Sequence, residues 1–173
     1  MPLNPSSSLA QLLNAPVRTG QVVWLGIRPG RREALIELQS ADFDITSGVI
    51  GDRYTRARGA RQVTLIQAEH LGTIASHLGR SQVLLGDLRR NVVTRGINLV
   101  ALKDKRFRIG SAVLQTTGEC HPCSRMEEIL GVGGYNAVRG LGGITARIID
   151  SGTVKLGGEV VVDLADGVAG GSA

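Results

Sequence analysis

Residues 62–78 read QVTLIQAEHLGTIASHL, and this stretch sets a buried strand directly before an amphipathic helix. Residues 63–66 are apolar or β-branched, as is typical of a strand. Residues 68–78 carry apolar side chains at helical spacing, and Gly79 follows as a helix stop. Outside this stretch strand patterns dominate, at residues 22–27, 34–38, 91–94, 107–116, 145–149 and 159–164. The pattern therefore predicts a mainly β fold.

The composition favours many short strands joined by tight turns. Of 173 residues, 24 are glycine and only five are aromatic (two Phe, one Trp and two Tyr), so the core must be built from Val, Ile and Leu. An apolar fraction of 42% and a net charge of +5 exclude a disordered chain. We predict a partly closed β-barrel of short strands with two or three short helices, over residues 21–164. Residues 1–20 and 165–173 are expected to be flexible tails.

The charge pattern and the N-terminal sequence limit the expected partners. The arginines fall in small groups without stacking aromatics or a recognisable reading helix, which argues against nucleic acid and fits a small anionic ligand. The sequence has no secretion signal and no apolar run of about 20 residues, so we expect a cytoplasmic protein that does not associate with a membrane. Cys120 and Cys123 are too close in sequence to form a disulfide framework.

Residues 120–125 read CHPCSR and concentrate the reactive side chains. Ser124 and Glu127 have the spacing of a capping box, which predicts a helix N-terminus with Cys123 just before it. The helix dipole and the nearby Arg125 would both favour a thiolate at Cys123, as a nucleophile or a soft-metal ligand requires. The alternatives are an unreactive buried cysteine, a dithiol pair with Cys120, and zinc, for which a second pair of cysteines is missing.

Two further segments carry polar groups that suit an anionic ligand. Residues 87–91 read DLRRN: Arg89 and Arg90 can bind phosphate through their planar forks, and Asn91 can meet a donor and an acceptor on a heterocycle edge. The turn at residues 51–54 presents Arg53. Each segment can also be an exposed charged turn. The glycine-rich residues 131–143 can either cradle an anion or pack tightly, and His121 can either donate a proton or face solvent.

These segments, in this order, resemble the MOSC domain, named for the C-terminal region of molybdenum cofactor sulfurases. The matching stretches are GVIGDR at 48–53, RQVTLI at 61–66, LRRN at 88–91, PCSRM at 122–126, GITAR at 143–147 and GGEV at 157–160. The likeness extends over residues 21–164. It implies a β-barrel-like fold that binds the molybdenum cofactor, a pterin dithiolene with a terminal phosphate.

The resemblance also implies roles for individual residues. Cys123 would be the functional thiol, which ligates molybdenum or carries sulfur as a persulfide. The residues implied to contact the cofactor are Arg53, Arg89, Arg90 and Asn91, with Arg125 beside the thiol in the same motif. Related stand-alone members often have His where this chain has Tyr54, so no proton transfer is assigned to that position.

The activity that the resemblance implies is reduction of N-hydroxylated compounds at a cysteine-ligated molybdenum centre, with electrons from an external reductase. One alternative is a non-catalytic sulfur carrier or cofactor-transfer module, supplied with sulfur by a cysteine desulfurase. A second alternative is a dithiol redox protein that uses the two cysteines without a metal. Because the sequence has no aminotransferase-like extension, pyridoxal phosphate is not expected to bind.

Overall fold

The structure is a computed structural model that describes residues 3–55, 57 and 59–163. These residues form eleven strands, four short α-helices and one 3₁₀ turn. The strands are β1 (Gly20–Ile27), β2 (Ile36–Glu37), β3 (Ser40–Asp44), β4 (Gly48–Val49), β5 (Val63–Gln67), β6 (Val92–Arg95), β7 (Arg106–Ile109), β8 (Ala112–Glu119), β9 (Ile144–Asp150), β10 (Gly152–Lys155) and β11 (Glu159–Val162). The helices are α1 (Ser8–Leu13), α2 (Ala68–His77), α3 (Ser124–Leu130) and α4 (Gly134–Val138), and the 3₁₀ turn is Leu99–Leu102.

Seven of these strands form a closed barrel. Their order is β11-β7-β8-β9-β5-β6-β1, and β11 pairs back with β1 at Gly20 and Val160. β5 and β6 are parallel, and α2 forms the crossover between them. β2 pairs with the end of β1 and lies outside the barrel. The predicted mainly β barrel is therefore confirmed, and the pairing of β11 with β1 completes its closure.

A second sheet has the strand order β10-β3-β4 and packs on the barrel. Its buried Phe43 and Val154 belong to the same apolar cluster as the barrel residues Phe107 and Leu114. The sequence pattern did not predict this sheet, because β3 and β4 are short and only partly apolar. The predicted strand at 107–116 is wrong as a single strand. Gly110, with φ +56°, forms a tight turn that splits the segment into the hairpin of β7 and β8.

The helices agree in part with the sequence. α2 matches the predicted helix at 68–78, and its buried residues Leu71, Ile74 and Ala75 belong to the predicted stripe. The segment predicted as an N-terminal tail contains α1, whose N-cap Ser7 accepts a hydrogen bond from the Ala10 backbone N–H. The predicted C-terminal tail at 165–173 lies outside the described residues. Within the described part of the chain, no helix is both long and apolar enough to cross a membrane.

The core consists of two apolar clusters on either side of the barrel wall. One fills the barrel and the space under the small sheet, and it contains both phenylalanines. The other joins the outer face of β1, β5 and β6 to the helices, with Trp24 packed among residues of α2, α3 and α4 such as Ile74, Met126 and Val138. This second cluster fixes α3 against the barrel. The residues at the start of α3 are thereby held close to the barrel end.

Candidate functional site

A cleft opens at the barrel end where β1 finishes and β5 and β6 begin. β1 is antiparallel to β6, and β5 is parallel to β6, so the loops after β1 and before β5 and β6 meet at this end. The cleft has a volume of about 270 Å³. Its wall contains eight arginines, one thiol and one carboxylate: Arg28, Arg31, Arg32, Arg53, Arg61, Arg89, Arg90, Cys123, Arg125 and Glu128.

A buried carboxylate holds Arg28 in place at the base of the cleft. The fully buried side chain of Asp52 accepts hydrogen bonds from Nε and Nη2 of Arg28, the shortest 2.8 Å, and from Nδ2 of Asn91 at 2.8 Å. The Oδ1 of Asn91 accepts from Arg28 Nη2 and from the backbone N–H and hydroxyl of Thr64. Both polar atoms of Asn91 are thus engaged within the protein, and the residue is 1% exposed. Its geometry is that of a residue that positions Arg28 and Asp52.

Arg90 is the most deeply buried arginine of the cleft, at 5% exposure. Its guanidinium donates to three backbone carbonyls, those of Gly142 (2.8 Å), Leu88 (2.9 Å) and Cys120 (3.4 Å). Burial lowers the pKa of this guanidinium. No carboxylate among the described residues forms an ion pair with it. A buried cation without a carboxylate partner is stabilised by an anion or thiolate nearby, so Arg90 favours negative charge in the cleft.

Arg89 is held in an uncommon backbone conformation. Its φ is +58°, in the left-handed region that non-glycine residues seldom adopt. Its Nη1 donates to the Glu33 carbonyl at 2.7 Å, which directs the side chain towards the loop after β1. The pKa of Arg89 is lowered by burial and then by repulsion from three nearby arginines, Arg125, Arg28 and Arg53. These four guanidinium groups line one cleft, and an anion bound there would relieve their repulsion.

Cys123 is exposed and lies in the wall of the cleft. It is the N-cap of α3, in an extended conformation, and its carbonyl accepts a hydrogen bond from the Met126 backbone N–H at 2.9 Å. The predicted capping box is wrong, because Ser124 is the first helical residue and Glu127 turns away from the N-cap. Since α3 has only seven residues, we attribute most of the positive potential at the thiol to the arginines of the cleft.

Glu127 instead binds the beginning of α4. Its carboxylate accepts from the backbone N–H groups of Gly133 at 2.7 Å and Tyr135 at 2.8 Å. These bonds hold the pKa of Glu127 below its ordinary value. The sequence pattern predicted that the Glu127 carboxylate would cap α3, but it accepts hydrogen bonds from the N–H groups at the start of α4 instead.

Cys120 has a different environment from Cys123. It is 2% exposed, and its Sγ accepts a hydrogen bond from Nη2 of Arg61 at 3.5 Å. The two thiols therefore differ in exposure, since Cys120 is buried and Cys123 is exposed. His121 is exposed and lies 3.8 Å from the Glu119 carboxylate. Among the described residues, no group of three or more His, Cys, Asp and Glu side chains is arranged to hold a metal ion.

The end of the glycine-rich stretch serves close packing. The Gly142 carbonyl accepts from Nε of Arg90, and the Gly143 carbonyl accepts from the Cys120 N–H at 2.8 Å. A Cβ at Gly142 would overlap the Cys120 carbonyl, and one at Gly143 would overlap the Leu65 carbonyl. Only glycine therefore lets this loop approach the cysteine segment and β5 so closely.

Most of the residues predicted from the sequence meet at this cleft. Five of them line it, namely Arg53, Arg89, Arg90, Cys123 and Arg125, whereas Asn91 lies beneath it. Sequence reasoning did not select Arg28, Asp52, Arg61 or Glu128. Arg28 and Arg61 were visible as members of arginine groups, but nothing in the sequence indicates that Asp52 is buried against Arg28.

A family model described as the MOSC domain matches residues 52–161, more than half of the chain. Comparison with the curated proteins found no match. Among solved structures, the YuaD protein from Bacillus subtilis is similar with a TM-score of 0.72 and 22% sequence identity, over 84% of this chain and 96% of that one. YiiM from Geobacillus stearothermophilus has a TM-score of 0.67 and 16% identity, over 83% of this chain and 75% of that one. YiiM from Escherichia coli has a TM-score of 0.65 and 15% identity, over 83% and 69%. At these identities the structural likeness concerns the fold alone.

Proposed function

The chain belongs to the MOSC domain family, and on that premise we propose that it binds the molybdenum cofactor, with the Cys123 thiolate at the metal. The observation that carries this proposal is an exposed thiol in the wall of a cleft that also contains eight arginines. A thiolate is a soft metal ligand, and guanidinium groups bind phosphate through two parallel hydrogen bonds. The cofactor carries both a metal and a phosphate.

The residues present fit this group. The cleft volume of about 270 Å³ is close to the lower end of the range for ligand pockets, and the cleft is open on one side. Arg90 supplies a buried positive charge that has no carboxylate partner among the described residues. An anionic ligand would therefore form an ion pair with Arg90 and reduce the repulsion among the cleft arginines.

We assign the binding roles from the geometry of the side chains. Arg28 is fixed by Asp52 and is suited to hold a phosphate oxygen without reorganisation. Arg53 and Arg89 would add further donors, and Arg90 would keep the potential at the Cys123 thiol positive. In this proposal Asn91, predicted as a direct contact, acts by holding Arg28 and Asp52.

When bound, the cofactor would supply the two-electron oxo transfer that reduction of an N-hydroxylated compound requires. The chain's own part is to hold the ligand, to present the Cys123 thiol beside the cleft arginines and to leave the site open to substrate. Electrons would come from an external reductase. A cytoplasmic location belongs to the same proposal, because a free reactive thiol persists in a reducing compartment.

A sulfur carrier is the second candidate, and the exposure of Cys123 favours it. A partner protein such as a cysteine desulfurase could reach this thiol directly. The Cys123 thiolate would attack the outer sulfur of the partner's persulfide, which leaves a persulfide on Cys123 and a thiolate on the partner. A dithiol mechanism has less support, because Cys120 is buried and bonded to Arg61.

Purification from a host that makes the cofactor tests the proposal. We expect molybdenum and the fluorescent oxidised pterin to co-purify with the chain in a ratio near one. Cys123→Ser should lose the metal, whereas Cys120→Ser, which changes the other thiol, should retain it. Absence of both metal and pterin from the unmodified protein would overturn the proposal. Mass spectrometry that finds one extra sulfur on Cys123 in such a metal-free protein would favour the carrier.

A further inference from the structure

The cleft contains a single carboxylate among its described lining residues, that of Glu128 on α3. Its two oxygens contact two different arginines. Oε1 accepts from Nη2 of Arg32 at 3.3 Å, and Oε2 accepts from Nη1 of Arg125. Glu128 therefore bridges the loop after β1 and the start of α3 across the mouth of the cleft.

The bridge differs from the ion pair at the base of the cleft. Asp52 has a fully buried side chain and is held by Arg28 and Asn91, so it is part of the folded framework. The side chain of Glu128 is 39% exposed, and that of Arg32 is 63% exposed. Exposed ion pairs contribute little to stability and exchange readily with ions from solution. The Glu128 bridge can therefore open without disturbing the fold.

The position of the bridge places it in competition with a ligand. The hydrogen bond from Arg125 is the main cause that holds the pKa of Glu128 below its ordinary value, so the carboxylate is ionised at neutral pH. Glu128 and Cys123 line the same cleft, so an anion bound beside the thiol would lie near this negative charge. The N–H groups of Arg32 and Arg125 that point at the Glu128 oxygens become available to such an anion when it displaces Glu128.

We propose that Arg32 and Arg125 form a second anion subsite at the mouth of the cleft, which Glu128 occupies until a carboxylate or phosphate group displaces it. The deeper subsite contains Arg28, Arg53 and Arg89. A ligand or substrate that uses the outer subsite must carry an anionic group of its own. This inference rests on the proposed function only in assigning the deeper arginines to the cofactor phosphate, and it can be tested without the cofactor.

Titration calorimetry with inorganic phosphate tests the subsite at fixed ionic strength and pH 7.5. The protein is the full chain, purified from a host that does not make the cofactor. Glu128→Gln is compared with Glu127→Gln, which changes the net charge equally but alters a carboxylate that binds α4. We expect Glu128→Gln to bind phosphate about fivefold more tightly than Glu127→Gln, the equivalent of one exposed ion pair. Thermal melts establish that both variants are folded at the temperature used.

A second pair of variants locates the gain in affinity. Adding Arg32→Gln to Glu128→Gln should remove the gain, whereas adding Arg139→Gln, an exposed arginine outside the cleft, should preserve it. Equal phosphate affinity in the two glutamate variants, or a gain that survives Arg32→Gln, would overturn the subsite. These outcomes are independent of the cofactor. Absence of both molybdenum and pterin from the purified protein overturns the proposed function alone, and a phosphate titration without the expected gain in affinity overturns the subsite alone.

Discussion

Asp52→Asn is the substitution that most directly tests how the base of the cleft is built. The carboxylate of Asp52 is fully buried and accepts hydrogen bonds from the Arg28 guanidinium and from Nδ2 of Asn91. The amide that replaces it has nearly the same shape but no charge. The substitution also replaces one carboxylate oxygen, an acceptor, with an NH2 group, whose hydrogens would face the N–H donors of Arg28 or Asn91. The variant therefore leaves a largely buried guanidinium without its counter-ion.

The expected loss of stability follows from the burial of the two partners. Removing one partner of a buried ion pair costs about 3–5 kcal/mol. The Arg28 side chain is 13% exposed to solvent, so water can solvate part of its charge. We therefore expect a smaller loss in the free energy of unfolding, about 2–4 kcal/mol. For a domain of this size, that corresponds to a decrease in Tm of roughly 5–15 °C.

Urea unfolding at 25 °C measures this loss, with the fluorescence of Trp24 as the probe. Trp24 is the single tryptophan and is 6% exposed, so its emission reports the helix-side core. Asp42→Asn is the matched control, because Asp42 is exposed and accepts a hydrogen bond from the Thr153 hydroxyl. We expect the control to lose about 1 kcal/mol or less. If Asp52→Asn loses no more than the control, the buried ion pair does not stabilise the base of the cleft.

Two further predictions concern the loop and helix that frame the cleft. Gly143→Ala should lower the free energy of unfolding by about 3 kcal/mol or more, because the new Cβ would overlap the Leu65 carbonyl at a φ of +88°. Gly140→Ala, at a similar φ of +75° but with no atom within 4 Å of the new Cβ, should lose only about 1 kcal/mol in the same urea assay. Glu127→Gln should be less stable than wild type above pH 5, and acid titrations of Tm should show the difference shrinking as the pH falls below about 4.5. The sign follows because the folded state lowers the pKa of Glu127, so its contribution is present above the ordinary pKa and lost as the carboxylate is protonated. A difference that is constant with pH would contradict the hydrogen bonds to α4.

Local patterns were sufficient to predict the strands and helix that carry strong apolar periodicity. The strand at 63–67 and the helix at 68–77 lie where their spacing indicated. The hairpin of β7 and β8 was hidden, because residues 107–116 read as one run unless Gly110 is recognised as a turn with positive φ. The small sheet was hidden for another reason: β3 and β4 are short neighbouring strands, and β10, which pairs with β3, begins more than a hundred residues later, where no local signal pairs the two.

The candidate site shows the same division between local and distant information. Cys123, Arg89 and Arg90 were predicted because each stands in a short motif of suitable chemistry. Arg28 and Asp52 were not, because their ion pair joins the end of β1 to the loop after β4 and exists only in the folded chain. The opposite happened with Glu127, where a pattern that fits a capping box is used to bind the next helix. Sequence spacing identifies what a side chain can do, and the fold decides which of its possible partners is present.

The positive charge of the cleft is balanced in part by two carboxylates in different positions. Eight guanidinium groups around one opening repel one another, and the pKa of Arg89 is lowered first by burial and then by repulsion from Arg125, Arg28 and Arg53. The described residues compensate with two carboxylates in different ways. The ion pair of Asp52 with Arg28 is buried and belongs to the folded framework. The ion pair of Glu128 with Arg32 is exposed at the mouth of the cleft, where an anion from solution can displace Glu128. Among the described residues no other carboxylate lines this cleft, so its remaining positive charge suits the anion that we propose beside the Cys123 thiol.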